Sequence, residues 1–543
     1  MPIGVERLRI GIAWIGILLF VAIGIGLRRE HLDEPLWLDE RHSEWTVAAS
    51  WSELPARAAL GNQSALPFVP IRLAVALFGD SPTVLRSTGL IAGLLLMAGA
   101  PIVLLFATRK ASPPIVAAAI LAIDPDLIYY AVECRPYAPM VLVAALQAWS
   151  TAARWGIAGL GSATRPRPAT RIAFVVSTIL LVRLHYVALL LVAAEGIVVL
   201  LQSLIDPRRR HERWRSDRRG VDAAIDLGLI ALGLLSLLAP LTRIAAHRRD
   251  WSRFVTGSAE QTAPLIELAI WGLLVPLTAL ALERLVSRVV GAFGADRERF
   301  AEGSNEAGRT PASPRLFDSI GGACFFGGCA AAAWLLAALA TRFGSTPVLL
   351  DRYLIGTWGW VAIAAALAVA SLRNAWWRPA IALTIVAAWS GNGEARWWFE
   401  TGRWPGHRIE DWAAATRDLD DSESSELPIV SFAGLIEDAR LVEQGNREEL
   451  EYLKFPLVGL RQPERIIPAG SYPQPAWPSG LDERIERTGG IAVVVRDDPS
   501  RRELLQRIER ELRQRLKRLG GSFAIDERAY GAVFVVEARR NEP

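Results

Sequence analysis

The sequence predicts a polytopic α-helical membrane protein with a small α/β domain at its C-terminal end. Three observations support this fold class. Hydrophobic residues make up 52% of the 543 positions. Up to residue 392, uncharged apolar stretches alternate with charged connections, and most are long enough to cross about 30 Å of hydrocarbon at about 1.5 Å per residue. After residue 392 the composition becomes that of a soluble domain, so we predict a membrane domain over 1–392 and a soluble domain over 393–543.

About eleven apolar stretches are predicted to cross the membrane. The first follows Arg7 and Arg9 and lacks a small-residue cleavage site, so it is expected to stay as a signal anchor. The stretch 64–79 is interrupted by Pro67 and Pro70 and is expected to form a helix at the membrane surface. The predicted spans are 8–27, 84–107, 113–131, 137–153, 170–184, 186–205, 223–242, 263–283, 317–340, 354–372 and 379–392.

Arginine-rich connections alternate along the chain, and the positive-inside rule places them with the N-terminus in the cytoplasm. The first loop, 28–83, and the C-terminal domain are then extracytoplasmic. Residues 170–205 could form one long tilted helix or two short spans. Two spans keep the arginine cluster at 208–219 inside, so we favour two.

The region after residue 392 has short β-branched runs around a charged amphipathic helix. The runs are 428–432, 491–495 and 532–536, and the helix is expected over 502–519. Strand, helix, strand order is typical of a small α/β domain. The three cysteines of the chain give neither a disulfide framework nor a metal-ligand spacing.

Asp39 and Glu40 stand side by side in the first extracytoplasmic loop. Composition alone favours a pair of solvated loop charges, because Asp and Glu are mostly exposed. The flanking Trp37 and Trp45 favour a loop folded onto the membrane interface, since indole rings concentrate there. A carboxylate at that depth can act as a general base toward an acceptor hydroxyl.

A second set of polar residues lies at the outer ends of the third and fourth predicted spans. The set consists of Glu133, Arg135 and Tyr137, next to Pro136, which restricts the backbone. The guanidinium of Arg135 can bind a phosphate oxygen. The alternative is that the charged and tyrosine side chains of this region, including Tyr129 and Tyr130, serve as interfacial anchors.

A third set gathers on the same side by topology: His185, Arg248, Arg352 and Tyr353. Extracytoplasmic arginines are exceptions to the positive-inside rule, and an anionic ligand would account for them. The alternative is that they pair with Asp250, with Asp351 or with lipid headgroups. His185 alone is a weaker candidate, because a lone histidine is as often structural as functional.

Together these residues resemble the C-type (GT-C) glycosyltransferases, the superfamily that includes bacterial protein O-mannosyltransferases and the aminoarabinose transferase of lipid A. The resemblance rests on the order of four patterns over roughly 8–375: Trp37 to Glu40, residues 66–86 with Leu-Phe-Gly-Asp-Ser and Leu85-Arg86, Asp124-Pro125 through Tyr137, and Asp351-Arg352-Tyr353. The chain departs from many relatives at 62–67, which lack an acidic residue and a double proline.

The resemblance implies an inverting transfer of a sugar from a polyprenyl-phosphate donor to a lipid, glycan or protein acceptor. Asp39 would be the base, Glu40 would orient it or bind the acceptor, and the outer arginines would stabilise the leaving phosphate. No cofactor, no obligatory metal and no nucleic-acid partner are expected. A lipid or polysaccharide transporter or flippase is the alternative function, and an oligosaccharide polymerase or ligase on the same scaffold is another.

Overall fold

A computed structural model describes residues 3–157, 168–205, 217–246, 269–285, 318–343, 348–372, 377–390, 409–421, 426–435, 438–471 and 474–541. The chain forms two compact units. The helical unit contains Met1–Glu30, Thr88–Ala246 and Val255–Pro405, and the α/β unit contains His31–Ser87, His247–Phe254 and Gly406–Pro543. The first loop predicted from the sequence therefore belongs to the same unit as the C-terminal domain.

The helices up to residue 390 are α1 (Ile3–Arg29), α2 (Leu38–Val47), α3 (Leu54–Leu60), α4 (Phe68–Phe78), α5 (Pro82–Thr108), α6 (Ser112–Ile123), α7 (Pro125–Ala131), α8 (Tyr137–Trp155), α9 (Pro168–Leu184), α10 (Leu189–Ile205), α11 (Asp217–Leu234), α12 (Leu238–Ala246), α13 (Ser319–Phe343), α14 (Asp351–Leu354), α15 (Gly356–Ser371) and α16 (Trp377–Ser390). A π-helical turn covers Ala269–Leu274.

Five helices in the described part of the chain are long and apolar enough to cross a membrane, or six if one bent pair counts as a single span. They include Glu6–Arg29, Pro82–Thr108 and Ser319–Phe343, which agree with three predicted spans. The predicted spans at 354–372 and 379–392 are helices of 16 and 14 residues. Part of the predicted span 263–283 lies outside the described residues. The protein is thus a multi-pass membrane protein.

The core of the helical unit is built around α15. Nearly all of its side chains are buried, as expected for a helix that is apolar on every face. Its small residues allow close helix packing, as in many membrane bundles. The indole Nε1 of Trp360 donates to the carbonyl of Ala144 at 2.9 Å, which satisfies the one polar atom of that buried ring.

The predicted span 113–131 is wrong as a single helix. It is broken into α6 and α7, which are bent by 63° at Asp124. Pro125 disfavours a helical conformation at the preceding residue, and Asp124 is extended, with φ −62° and ψ 123°. The Asp124 carboxylate accepts the backbone N–H of Leu127 at 2.9 Å and so caps the second helix.

The predicted break between two short spans at His185 is present. The helix α9 ends at Leu184, and His185 is extended with φ −153°. Its Nδ1 accepts the backbone N–H of Val187 at 3.4 Å and caps a 3₁₀ turn that leads into α10. One long continuous helix over 170–205 is therefore wrong.

The α/β unit is built on a five-stranded mixed sheet. Its strands are β1 (Ile429–Phe432), β2 (Ile466–Pro468), β3 (Gly490–Arg496), β4 (Phe523–Tyr530) and β5 (Val533–Arg540), in the order β2-β1-β3-β5-β4. The first three are parallel, and β5 pairs antiparallel with β3 and β4. The helices of this region are α17 (Trp412–Asp421), α18 (Asp438–Gln444), α19 (Arg447–Tyr452), α20 (Leu481–Thr488) and α21 (Glu503–Leu519).

Both faces of the sheet are covered. On one face α21 buries Leu505, Ile508 and Leu512 against the strands. On the other face the core contains Trp412 and Phe455 and also Leu38, which comes from the first loop. The predicted surface helix is α4, which leaves Leu73, Leu77 and Phe78 exposed. The first loop thus folds as part of the α/β unit, and α2, which carries Asp39 and Glu40, contributes Leu38 to the core on this face of the sheet.

Candidate functional site

The helix α2 presents Asp39 and Glu40 in its first turn. Trp37, the residue before the helix, has no capping side chain, and the cap comes from far along the chain. The Glu410 carboxylate accepts the backbone N–H of Leu38 at 2.9 Å and the indole N–H of Trp412 at 2.7 Å. Arg496 donates to the other oxygen of Glu410 at 2.8 Å, so the cap is itself held in place.

Glu40 is fully buried and forms a bidentate ion pair with Arg86. The Nε and Nη2 atoms of Arg86 donate to the two carboxylate oxygens at 2.9 and 2.6 Å, and both side chains have 0% exposure. The same guanidinium donates to four backbone carbonyls, those of His31, Leu32, Glu34 and Pro35, at 3.2, 2.9, 2.7 and 3.1 Å. One buried arginine therefore ties the 31–35 segment to the first turn of α2.

The next two residues of α2 are also fixed. Arg41 donates to the carbonyls of Pro456, at 3.2 Å, and Val458. His42 is 3% exposed and its ring lies against the rings of Phe68, Tyr452 and Phe455, with centroids 5.4–6.0 Å apart. These contacts bury one face of the helix.

Asp39 lies between Leu38, which is bonded to Glu410, and Glu40, which is paired with Arg86. Asp39 itself is only partly buried. The positive end of a helix dipole stabilises an anion in the first turn. A carboxylate on a rigid backbone, at the edge of water, is well arranged to take a proton from a bound hydroxyl group.

In the helical unit the predicted residues gather into one cluster of rings. Tyr130 contacts Tyr137, Tyr137 contacts His185, and His185 contacts Tyr353, with ring centroids 4.9, 5.9 and 5.6 Å apart. These residues come from four elements in three distant parts of the sequence. Residues that were predicted to lie on one side of the membrane domain are therefore in contact with one another.

Arg135 and Arg352 lie beside this cluster. The guanidinium of Arg352 lies 5.3 Å from the ring centroid of Tyr353. Removal of His185 from water, and the positive charges of Arg135 and Arg352, lower the pKa of His185 to about 3. The imidazole is therefore neutral at physiological pH, and the arginines supply the positive charge.

We expect His185 to show no titration between about pH 5 and about pH 8, because the folded pKa lies below this range. Nuclear magnetic resonance of protein labelled at histidine measures this directly, with His185→Gln used to assign the signal. Another histidine that titrates in the same spectra is the internal control. A His185 signal that moves near pH 6.5 would contradict the neutral assignment.

The loop before α8 is held by short contacts. Glu133 is fully buried. A Cβ atom at Gly89 would lie 2.6 Å from the carbonyl oxygen of Glu133, so only glycine permits this approach of α5. The indoles of Trp389 and Trp358 donate to Asp124 and Asp126 at 2.7 and 3.1 Å. The bend and the polar residues after it are thus fixed by side chains from α15 and α16.

Arg248 lies outside the described residues. Arg183 donates to the carbonyl of Gly233 at 2.7 and 3.1 Å and so caps the end of α11. Within the described ranges, no group of three or more His, Cys, Asp or Glu residues could hold a metal ion.

Sequence reasoning assigned no role to two residues of the site. Arg86 was noted only as part of a pattern, and Glu410 was not noted. An arginine in the first turn of an apolar stretch is costly unless it is paired, and this signal could have identified Arg86. No local signal identifies Glu410, because its partner Leu38 is 372 residues away.

Comparison with solved structures assigns the fold. The structure of ArnT from Cupriavidus metallidurans bound to undecaprenyl phosphate aligns with a TM-score of 0.54 at 14% identity, covering 97% of this chain and 98% of that one. The chain therefore shares the fold of this ArnT structure.

Two other solved structures are similar at lower scores. The apo state of the same ArnT aligns with a TM-score of 0.45 at 12% identity, covering 97% of each chain. The apo oligosaccharyltransferase of Archaeoglobus fulgidus aligns with a TM-score of 0.41 at 13% identity, covering 78% of this chain and 63% of that one. No protein-family model and no curated protein matches the sequence.

Proposed function

We propose that this protein is a membrane glycosyltransferase that moves a sugar from a polyprenyl-phosphate donor to an acceptor hydroxyl. The fold supports the class of enzyme, and the undecaprenyl phosphate held by the ArnT structure suggests the donor carrier. One observation of the site carries the proposal: Asp39 sits partly exposed between two residues that are locked by Glu410 and Arg86. A base needs this kind of fixed position.

In the proposed reaction Asp39 accepts the proton of the acceptor hydroxyl. The acceptor oxygen forms a bond to the anomeric carbon while the bond from that carbon to the phosphate oxygen breaks. The bonding electrons leave with the polyprenyl phosphate, and the configuration is inverted. Arg135 and Arg352 contact the phosphate and stabilise its added negative charge. His185, Tyr137 and Tyr353 line the sugar or phosphate.

Glu40 has a different part in this proposal. Its carboxylate is paired with Arg86 and is buried away from water. Glu40 therefore positions Asp39 and does not contact the acceptor. Glu133 is buried and orients the loop that carries Arg135. We further propose that the reaction occurs at the extracytoplasmic face of a bacterial inner membrane, where donors must arrive on lipid carriers.

The direct test is sugar transfer by purified protein in lipid nanodiscs. Polyprenyl-phosphate sugars are compared with nucleotide sugars as donors, and lipid, glycan and protein acceptors are offered in turn. Release of polyprenyl phosphate together with a glycosylated acceptor supports the proposal, and lack of transfer from every lipid-linked donor opposes it. The same assay with a chelator tests the expectation that no divalent cation is needed.

We expect Arg352→Ala to raise the KM for the lipid-linked donor by about tenfold to a hundredfold, because a charged hydrogen bond of about 1.5–3 kcal/mol is lost. The KM for the acceptor should stay within a factor of two to three, roughly the scatter of such effects. Steady-state kinetics with each substrate varied in turn measures both.

The control for Arg352→Ala is Arg342→Ala, which removes a second arginine that lies against an aromatic ring, that of Phe343, in the same unit. This control should leave both KM values unchanged. An unchanged donor KM in Arg352→Ala would return Arg352 to the role of a membrane anchor.

A further inference from the structure

Glu195 is a titratable residue at the middle of the membrane that the proposed reaction does not use. It lies nine residues from either end of the span Tyr186–Leu204. At about 1.5 Å per residue it sits about 14 Å from both ends, near the centre of a hydrocarbon layer of about 30 Å. The residue is 2% exposed. An intramembrane carboxyl at this depth is costly and usually functional.

Glu195 and three side chains from two neighbouring helices, α8 and α9, form a hydrogen-bonded network. The hydroxyl of Thr151 donates to Glu195 Oε2 at 2.7 Å. The Gln147 amide donates to the hydroxyl oxygens of Thr151 and Thr178 at 3.1 and 3.3 Å. The hydroxyl of Thr178 donates in turn to the carbonyl of Phe174 at 2.7 Å. Every hydrogen of this network is therefore already used.

Two oxygen atoms are left over. Glu195 Oε1 and Gln147 Oε1 are both buried, and neither has a hydrogen-bond partner within the described residues. Both side chains bond to the hydroxyl of Thr151, so they are neighbours. A buried acceptor that receives no hydrogen bond costs free energy. One additional proton, on Glu195, satisfies both atoms at once.

The charged groups on the packed helices do not supply a counter-ion. On α8, Arg154 pairs with Asp226 at 2.8 Å. On α9, Arg171 pairs with Asp226 at 2.8 Å and with Asp222, while Arg183 caps α11. On α13, the group near Glu195 is the thiol of Cys329, which is fully buried. In the described part of this unit, Glu195 makes no ion pair.

We propose that Glu195 is an intramembrane proton-binding site. The carboxyl holds a proton on Oε1 at neutral pH and donates it to Gln147 Oε1, so that α8, α9 and α10 are joined through a neutral network. Loss of the proton places an uncompensated negative charge near the bilayer centre and leaves α8 and α10 joined at this point by the bond from Thr151 to Glu195 alone. The helical unit is therefore sensitive to alkaline pH through this one group.

Infrared spectroscopy of the full-length protein in nanodiscs at neutral pH tests the proposal. The wild type should show a C=O stretch of a protonated carboxylic acid that shifts in D₂O, and Glu195→Gln should lose it. The matched control is Asp226→Asn, which removes a buried carboxylate paired with two arginines and should leave the band unchanged. A wild-type spectrum with no band that Glu195→Gln removes would overturn the proposal, with a flipped Gln147 amide or a bound cation in its place.

Two further measurements keep the test decisive. In Gln147→Leu the acceptor is lost, so the band should move to higher wavenumber; an unmoved band opposes the proposal even if Glu195→Gln fails to insert. The unfolding temperature of the wild type should fall as the pH rises from about 5 through neutral, because the folded carboxyl keeps a proton that the unfolded one loses above about pH 4.3. Glu195→Gln, whose amide N–H can replace the bound proton, should lack this fall. None of these readouts depends on sugar transfer.

Discussion

Asp39→Asn is expected to abolish most of the sugar transfer while the protein stays folded and inserted. Asparagine has the size of aspartate but cannot accept the acceptor proton. General base catalysis contributes about a hundredfold to ten-thousandfold, and we expect kcat to fall by that factor. The KM for the donor should change little, because the arginines assigned to the phosphate are untouched. Steady-state transfer from a polyprenyl-phosphate sugar measures both constants.

The control for Asp39→Asn is Glu53→Gln, which neutralises an exposed carboxylate in the same loop, at the start of α3. It should retain wild-type kcat. The neighbouring contacts provide a structural check, since Leu38, Glu40 and Arg41 keep their partners and the unfolding temperature should be unchanged. Full activity in Asp39→Asn would remove the base assignment and leave the proposal without its central residue.

Hydropathy predicted the long helices well because a bilayer requires every backbone polar group to be satisfied within its own segment. The stretches 8–27, 84–107 and 317–340 agree with α1, α5 and α13 to within a few residues. The bend within the stretch 113–131 was not predicted, because a hydropathy average does not detect a turn, although Asp124-Pro125 is a turn signal. The break at His185 was predicted from charge, through the need to keep the 208–219 arginines inside.

The candidate site was predictable where topology decides it. Tyr137, His185 and Tyr353 were grouped because alternating connections place them on one side, and their rings are in contact. The support of Asp39 was not predictable. Arg86 reaches Glu40 and four carbonyls through side-chain geometry that no periodicity reports. The partners of Leu38 and Arg41 lie 372 and 415 residues away, and pairings of that separation appear only once the chain is folded.

Arg86→Ala is expected to have the largest effect on stability in the α/β unit. It leaves the Glu40 carboxylate buried without its counter-ion and takes a hydrogen-bond donor from four carbonyls. Removing one partner of a buried ion pair costs about 3–5 kcal/mol, and activity should be lost because the first turn of α2 is no longer held. Unfolding of the full-length protein followed by tryptophan fluorescence measures the first effect, and sugar transfer measures the second.

The source of that cost can be separated with two further variants. If the unpaired charge dominates, Glu40→Gln added to Arg86→Ala should recover part of the lost stability, because an amide is cheaper to bury than a carboxylate. The stability of Arg86→Lys should be intermediate. An ammonium keeps the charge, but it cannot form the bidentate pair with Glu40 and also donate to the four carbonyls. Arg57→Ala is the matched control: it removes one arginine that donates to the carbonyl of Trp45 at 2.7 Å, and should cost about 1 kcal/mol. A double variant no more stable than Arg86→Ala would show that the carbonyl bonds, and not the ion pair, hold Asp39 in place.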